Sequence, residues 1–543
     1  MRHQAKCFVL TVGVMLMVAS AAGHQFQLME ASINEIHRGL QSGNLTCHSL
    51  VQQYLERIKA YDQQGPALNA MLYVNPKVLE QADDMDKQLK RGTKIKPLQC
   101  IPVVLKDNFD TADMPTAGAS LALKGMQPTK DAFTVARLRQ NGALILGKTN
   151  MHELALFGLT LSSLGGQTKN PYELSRTPGG SSGGTGAALA ANFATVGTGS
   201  DTVNSIRSPS SANSLVGIRP TRGLISRTGI IPVSFTQDAA GPLARTVADA
   251  AVMLDVMAGY DPDDPVTALG ISRIPVTYTA SLDRDGLKSA RIGVLRTLFG
   301  SGPDHQEVNH VMANALEVLK KEGAVLIDID DATVETGKLN SDLDVQKYEF
   351  KFQLNNYLKA QPNPPLHSLA ELIASGKYHK ASLDKKFLAS AESYENGLNE
   401  PDYKDRRVKI DDLRVRLANL MARNNVVALL YPHQKRLPVM IGQMNQAERN
   451  GILASLAGFP AITVPAGFST PRESAPIGVP VGIEFLGPPF SEQQLLRIAY
   501  GFEQATHARK PPQCTPPLSR ISFNPNGRIN RLGWVASSRN KLR

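Results

Sequence analysis

Cysteine is scarce in this chain of 543 residues, with four in all. Cys7 falls in a segment expected to be removed. Cys47, Cys100 and Cys514 lie too far apart for a metal finger or a disulfide-dense scaffold, and they leave room for one bridge without requiring it. There is no Cys-x-x-Cys, no His-Glu-x-x-His and no cluster of His, Asp and Glu at ligand spacing, so no metal site is expected. No apolar run reaches the 18 or so residues of a membrane-spanning helix. No internal repeat is visible, and with 42% apolar and 20% charged residues the composition is that of a globular protein with a large core.

The formal charge of +11 invites a nucleic-acid or membrane reading until the charges are located. Arg520, Arg528, Arg531, Arg539, Lys541 and Arg543 sit in the last 26 residues with no acid among them, and Arg2 and Lys6 stand at the start. The body is therefore close to neutral and no nucleic-acid partner is expected. The basic tail, 513–543, reads as a loose terminus, with binding to an anionic surface as its alternative role. At the other end Arg2, His3 and Lys6 precede the apolar run Cys7 to Ala19 and the small residues Ser20 to Gly23. That pattern predicts an export signal over 1–22 and a secreted or periplasmic product.

Between these ends the chain reads as one α/β domain over 26–512. Helices come first, opened by the capping box Ser32-x-x-Glu35 and by Thr46, with Leu50, Val51, Tyr54, Leu55 and Ile58 on one stripe. Short continuous apolar runs follow at 101–105, 143–146, 194–196, 291–295, 324–329, 426–430 and 461–464, alternating with helical stretches such as 131–141 and 184–193. These are buried strands joined by helices, which predicts a mixed, mostly parallel sheet surrounded by helices. Residues 340–420 are charged and helical without strand runs and read as a variable insertion.

Three features carry chemistry. Residues 179–186 read Gly-Gly-Ser-Ser-Gly-Gly-Thr-Gly, immediately before an alanine-rich helix. A flexible linker has this composition, but the context places the glycines where backbone N–H groups converge at a helix start. A phosphate loop would end in Gly-Lys-Ser/Thr and a dinucleotide fingerprint would follow a strand directly; neither condition holds. A nucleophile elbow at Gly180–Gly184, with Ser182 reactive, fits the pattern but lacks an apolar strand before it. The second feature is the serine-bearing turn Gly197 to Arg207, after a strand. The third is Lys106, closing an apolar strand where desolvation would lower its pKa and free the amine as a base.

Together these resemble the amidase signature family of Ser-Ser-Lys amide hydrolases, and most of all its peptide amidase-like members. Gly147-Lys148-Thr149-Asn150, Gly166 to Pro171, the Gly-Gly-Ser-Ser-Gly-Gly block, Asp201 with Ser205-Ile206-Arg207, Gly217 to Thr221, Ala457 to Ala461, Pro465 to Gly467 and Phe490-Ser491-Glu492 all stand in family order. The resemblance implies Ser205 as nucleophile, Ser181 as a bridging serine on a cis peptide and Lys106 as base. The oxyanion hole falls to Thr202, Val203, Asn204 and Ser205, and no metal or cofactor is needed. The implied reaction is hydrolysis of a small-molecule or peptide carboxamide to an acid plus ammonia or an amine. Where many members have Gly-Gly before the nucleophile this chain has Val203-Asn204, which narrows the approach to the carbonyl. Two alternatives stay open: the glutamine-hydrolysing subunit of an amidotransferase, and a catalytically impaired amidase-fold binding protein. Later histidines such as His305, His367 and His433 are expected to be surface or packing residues.

Overall fold

The computed structural model describes residues 26–518 except 381, 382 and 384. The expected signal at 1–22 and the tail from 519 onward lie outside the described residues. Both capping boxes form: the Ser32 hydroxyl and Glu35 carboxylate reciprocate at the start of the helix Ile33–Gln41, and Thr46 pairs with Ser49 at the start of Cys47–Tyr61. Leu50, Val51, Tyr54 and Ile58 bury the predicted stripe of the second helix. Cys47 and Cys100 are joined in a disulfide with Cα atoms 5.2 Å apart, tying that helix to the entry of the sheet.

The strands are β1 (Met71–Val74), β2 (Pro102–Lys106), β3 (Leu144–Thr149), β4 (Leu161–Ser162), β5 (Gly166–Gln167), β6 (Val196–Asp201), β7 (Val216–Arg219), β8 (Ala239–Ala244), β9 (Arg291–Leu295), β10 (Val325–Ile329), β11 (Ala428–Pro432), β12 (Ala461–Phe468) and β13 (Pro480–Leu486). Among the described residues, eleven of them form one sheet in the order β1-β3-β2-β6-β8-β7-β12-β13-β11-β9-β10, and β4 and β5 form a small hairpin apart from it. The chain is thus a single large α/β domain with a mixed sheet flanked by helices. Its parallel pairings form two blocks, β3-β2-β6 and β11-β9-β10. Antiparallel β8, β7, β12 and β13 join them. Every residue of β2, β3, β6 and β8 is buried, as expected of strands covered on both faces.

The predicted insertion is built of helices joined by loops, with no strand among its described residues: Thr336–Leu343, Gln346–Ala360, Leu369–Ser375, Lys385–Ser393 and Pro401–Arg423. Phe350, Leu354, Leu358, Leu369 and Leu372 share an apolar core with Ala117, Leu123, Met151, Leu154, Ile231 and Val233, so the insertion packs on the loops at one end of the sheet. At the other terminus packing continues past 512: the Arg57 guanidinium donates to the carbonyls of Thr515 (2.8 Å) and Pro516 (2.9 Å).

Candidate active site

Lys106 is the last residue of β2 and Ser200 lies near the end of the neighbouring parallel strand β6. The lysine is completely buried. Its Nζ lies 2.7 Å from Ser181 Oγ, 2.8 Å from Ser200 Oγ and 3.1 Å from the Ser200 carbonyl oxygen. Burial pushes the amine down to about 7, against a smaller upward pull from Asp201 and Asp238. A neutral amine has two hydrogens and one lone pair. The Ser200 carbonyl accepts one hydrogen, the Ser200 hydroxyl takes the other while also accepting from Asn108 Nδ2 at 2.9 Å, and the lone pair is left for the Ser181 hydroxyl.

Ser181 is carried by an irregular segment leading into the helix Gly183–Ala190, and the Gly180–Ser181 peptide is cis. The His152 amide donates to the Ser181 carbonyl at 3.0 Å. Only glycine fits at 184, where a Cβ would stand 2.1 Å from the Asn150 carbonyl oxygen. Ser182 is fully buried; its amide donates to the Ser205 carbonyl (3.3 Å) and its hydroxyl to the Ser200 carbonyl (3.4 Å). Ser182 therefore braces the two serine-bearing segments against each other. The elbow reading fails on its own condition, since among the described residues no strand leads into Gly180–Gly184.

Ser205 follows β6 in a turn and is 7% exposed. Among the described residues its hydroxyl forms no hydrogen bond, and the amides of Thr202, Val203, Asn204 and Ser205 likewise donate to no protein group. Thr202, Asn204 and Ser205 are buried and Val203 is half-buried, so the turn presents a run of N–H groups that no protein oxygen takes up. The turn is held from below. Asp201 accepts from the Ile206 amide (3.0 Å), from Arg207 Nε (3.1 Å) and from Arg219 Nη1 (3.0 Å), and these two cations hold its carboxylate far below the usual range. Arg207 also donates to the Val203 carbonyl at 2.7 Å.

Arg207 reaches across the sheet to Glu484 on β13 at 2.5 Å. Glu484 also meets the Tyr431 hydroxyl (2.9 Å) and His433 Nδ1 (2.6 Å), every partner being buried. Glu484→Ala should destabilise the protein by about 3–5 kcal/mol, because a buried guanidinium and imidazole lose their acceptor. Urea unfolding measures this, and a change below about 1 kcal/mol would show that the cluster relaxes.

Beside Ser200 and Thr202 a small cleft is walled by Ile230, Ile231, Val233 and Phe235. The insertion is latched to this wall: Glu349 accepts from the Ser234 hydroxyl at 2.5 Å and from the Tyr403 hydroxyl at 2.8 Å. Gln237 accepts from the Val345 amide (3.0 Å) and donates to the Thr202 carbonyl (3.3 Å). The structure thus brings Lys106 and Ser181 into direct contact and seats Ser205 and the 202–205 turn against the same segment. Sequence reasoning missed Ser200 and Asn108, which orient the lysine, and the Glu484 cluster. The sequence reading placed Ser200 in the turn Gly197 to Arg207, whereas β6 runs on through Asp201 and makes Ser200 its penultimate residue beside Lys106; Glu484 comes from a strand that gave no continuous apolar signal.

Comparison with known proteins agrees with this architecture. The amidase family model matches residues 49–496. The chain belongs to the amidase signature family. It is 36% identical over 528 residues to a probable amidase from Arabidopsis thaliana, covering 93% of this chain and 96% of that protein. It is 33% identical over 494 residues to a glutamyl-tRNA(Gln) amidotransferase subunit from Alkaliphilus metalliredigens, covering 88% of this chain and 97% of that one. The native peptide amidase of Stenotrophomonas maltophilia superposes with a TM-score of 0.79 at 37% identity, over 90% of this chain and 99% of that structure.

Proposed function

We propose that this protein hydrolyses a carboxamide through an acyl-enzyme on Ser205. The observation that carries the reading is the 2.7 Å contact between Ser181 Oγ and a buried lysine amine whose pKa lies near neutrality. The neutral Lys106 takes the Ser181 proton as Ser181 takes that of Ser205, and the Ser205 oxygen attacks the amide carbon. The carbonyl oxygen gains negative charge and moves among the amides of residues 202–205, where each lost donor would cost about 3–4 kcal/mol of barrier. The proton returns along the same relay to the leaving nitrogen, the C–N bond breaks, and ammonia or an amine departs. Water, activated by the same relay, then splits the ester to a carboxylic acid and restores Ser205.

Mass spectrometry of products from peptide amides, fatty amides, aryl amides and glutamine tests the reading. The expected result is acid release from at least one of the first three classes; hydrolysis of glutamine alone would favour the amidotransferase-type alternative, in keeping with the Alkaliphilus relative. No hydrolysis in any arm would favour the binding-protein alternative. We further propose an oxidising compartment for the mature chain, supported by the Cys47–Cys100 bridge. The same preparation, expressed with its full sequence, should then begin near residue 22 in medium or periplasm, and an intact first residue there would refute it.

A further inference from the structure

The amides of the 202–205 turn take their direction from the carbonyls between them. A peptide unit is planar, and in its trans form the C=O of one residue and the N–H of the next point opposite ways. Among the described residues the Gly180–Ser181 bond alone is cis, so the peptides of the turn obey this rule. Whatever holds the Thr202 carbonyl therefore aims the Val203 N–H, and whatever holds the Val203 carbonyl aims that of Asn204.

Much of the holding is done from remote parts of the chain. The Thr202 carbonyl accepts from Gln237 Nε2 at 3.3 Å. The Val203 carbonyl accepts from the Ser455 hydroxyl, in the helix Ile452–Ala457, and from Arg207 Nη2, each at 2.7 Å. The Ser455 contacts with the Gly451 and Ile452 carbonyls of its own segment are longer, 3.1 and 3.3 Å, so its one hydroxyl proton goes to Val203. Side chains add to the grip: the Thr202 hydroxyl donates to Asp238 Oδ1 at 2.6 Å, and Asn204 accepts from Arg449 Nη1 at 3.0 Å.

Gln237 is completely buried, and both ends of its amide are committed. Its Oε1 takes the Val345 N–H while its Nε2 serves the Thr202 carbonyl, an order that cannot be reversed because a donor must meet an acceptor at each end. Its main chain is pinned as well, the amide donating to the Ser234 carbonyl at 3.0 Å and the carbonyl accepting from Arg219 Nη2 at 2.6 Å. Val345 immediately precedes the helix Gln346–Ala360 of the insertion. One rigidly held side chain therefore spans from the insertion to the first carbonyl of the turn.

We propose that Gln237 and Ser455 are positioning residues for the oxyanion hole, and that Gln237 makes the aim of the Val203 N–H depend on the seated insertion. The proposal rests on the amide-hydrolase reading. Both side chains act through peptide planes and not on the reacting atoms.

The test compares the wild type with Gln237→Met and Ser455→Ala, using a fluorophosphonate probe and whichever of the peptide, fatty or aryl amides the wild type hydrolyses. In the probe reaction Ser205 Oγ bonds to phosphorus, the P–F bond breaks, fluoride leaves and the serine proton passes to the lysine relay. The phosphoryl oxygen enters the same hole whatever the natural substrate. A hole donor removed outright costs about 10²–10³ in rate and a misdirected one costs part of that, so Gln237→Met should lower both labelling and kcat about tenfold. Ser455→Ala, which leaves Arg207 on the carbonyl, should lower both about threefold. KM should stay within about twofold, because the hole acts on the transition state. The rise of kcat through pH 7 should persist, because Lys106 is untouched. Unchanged labelling and kcat in both variants, a loss confined to KM, or disappearance of the pH limb would overturn the proposal. If Gln237→Met does not fold, Ser455→Ala decides by the same criteria. A wild type that is labelled but hydrolyses nothing leaves the labelling rates to decide. A wild type that does neither sinks the hydrolase reading and this proposal with it, whereas normal hydrolysis with indifferent variants sinks the proposal alone.

Discussion

Replacing Ser205 by alanine is expected to lower amide turnover by about 10⁴- to 10⁶-fold, the scale on which removal of a serine nucleophile acts when the rest of its machinery is left in place. The fold should be indifferent to the change. The Ser205 hydroxyl has no hydrogen-bond partner among the described residues, and the turn is held by Asp201, Arg207 and the Ser182 amide, none of which touches it through that hydroxyl. The thermal midpoint of the variant should therefore stay within a degree or two of the parent, by the small stability change of about 0.5 kcal/mol expected of such a site. Retention of near-normal rates would remove Ser205 from the mechanism.

The second large effect belongs to Lys106. Lys106→Met keeps the length of the side chain and removes its lone pair, and turnover should fall by about 10²- to 10⁴-fold, the range of a lost general base. The sign of the pH dependence follows from burial. The amine is lowered from 10.5 to about 7, so above that pH it is neutral and accepts a proton, and below it the ammonium has no lone pair to offer. Wild-type kcat should rise with pH through 7 and level off above it, while the residual activity of Lys106→Met should lack that limb. A wild-type profile flat from pH 9 to 5, with the chemical step limiting, would exclude the lysine as base.

Much of this arrangement was legible in the chain because it rests on strong local patterns. The runs that became β2, β3, β9, β10, β11 and β12 are short, apolar and bounded by breakers, and both N-terminal helices announced their caps. What escaped notice was built from weak ones. β8 reads Ala-Ala-Gly-Pro-Leu-Ala, with two residues that normally argue against a strand. β1 and β7 are four residues long, and β13 is interrupted by Gly482 and the charge of Glu484. The candidate triad was reached through a family resemblance carried by Lys106, Ser181 and Ser205, whereas Ser200 and Asn108 hold the lysine through contacts that only folding creates. Val203-Asn204 shows the same divide: the sequence marks it as a departure, and the bond from Arg449 to Asn204 is visible only once residues 245 positions apart have met.

The pairing of β2 with β6, Val103 opposite Val196 and Val104 opposite Gly197, sets which face of the sheet receives the lysine. Side chains alternate along a strand, so a slip of one residue in this ladder would turn Lys106 away from both serines while preserving most of the apolar contacts. A misaligned molecule of that kind would be compact, soluble and inert. Specific activity per mole of folded protein is consequently an assay of alignment fidelity, and preparations refolded from denaturant can be graded by it where spectroscopy sees no difference.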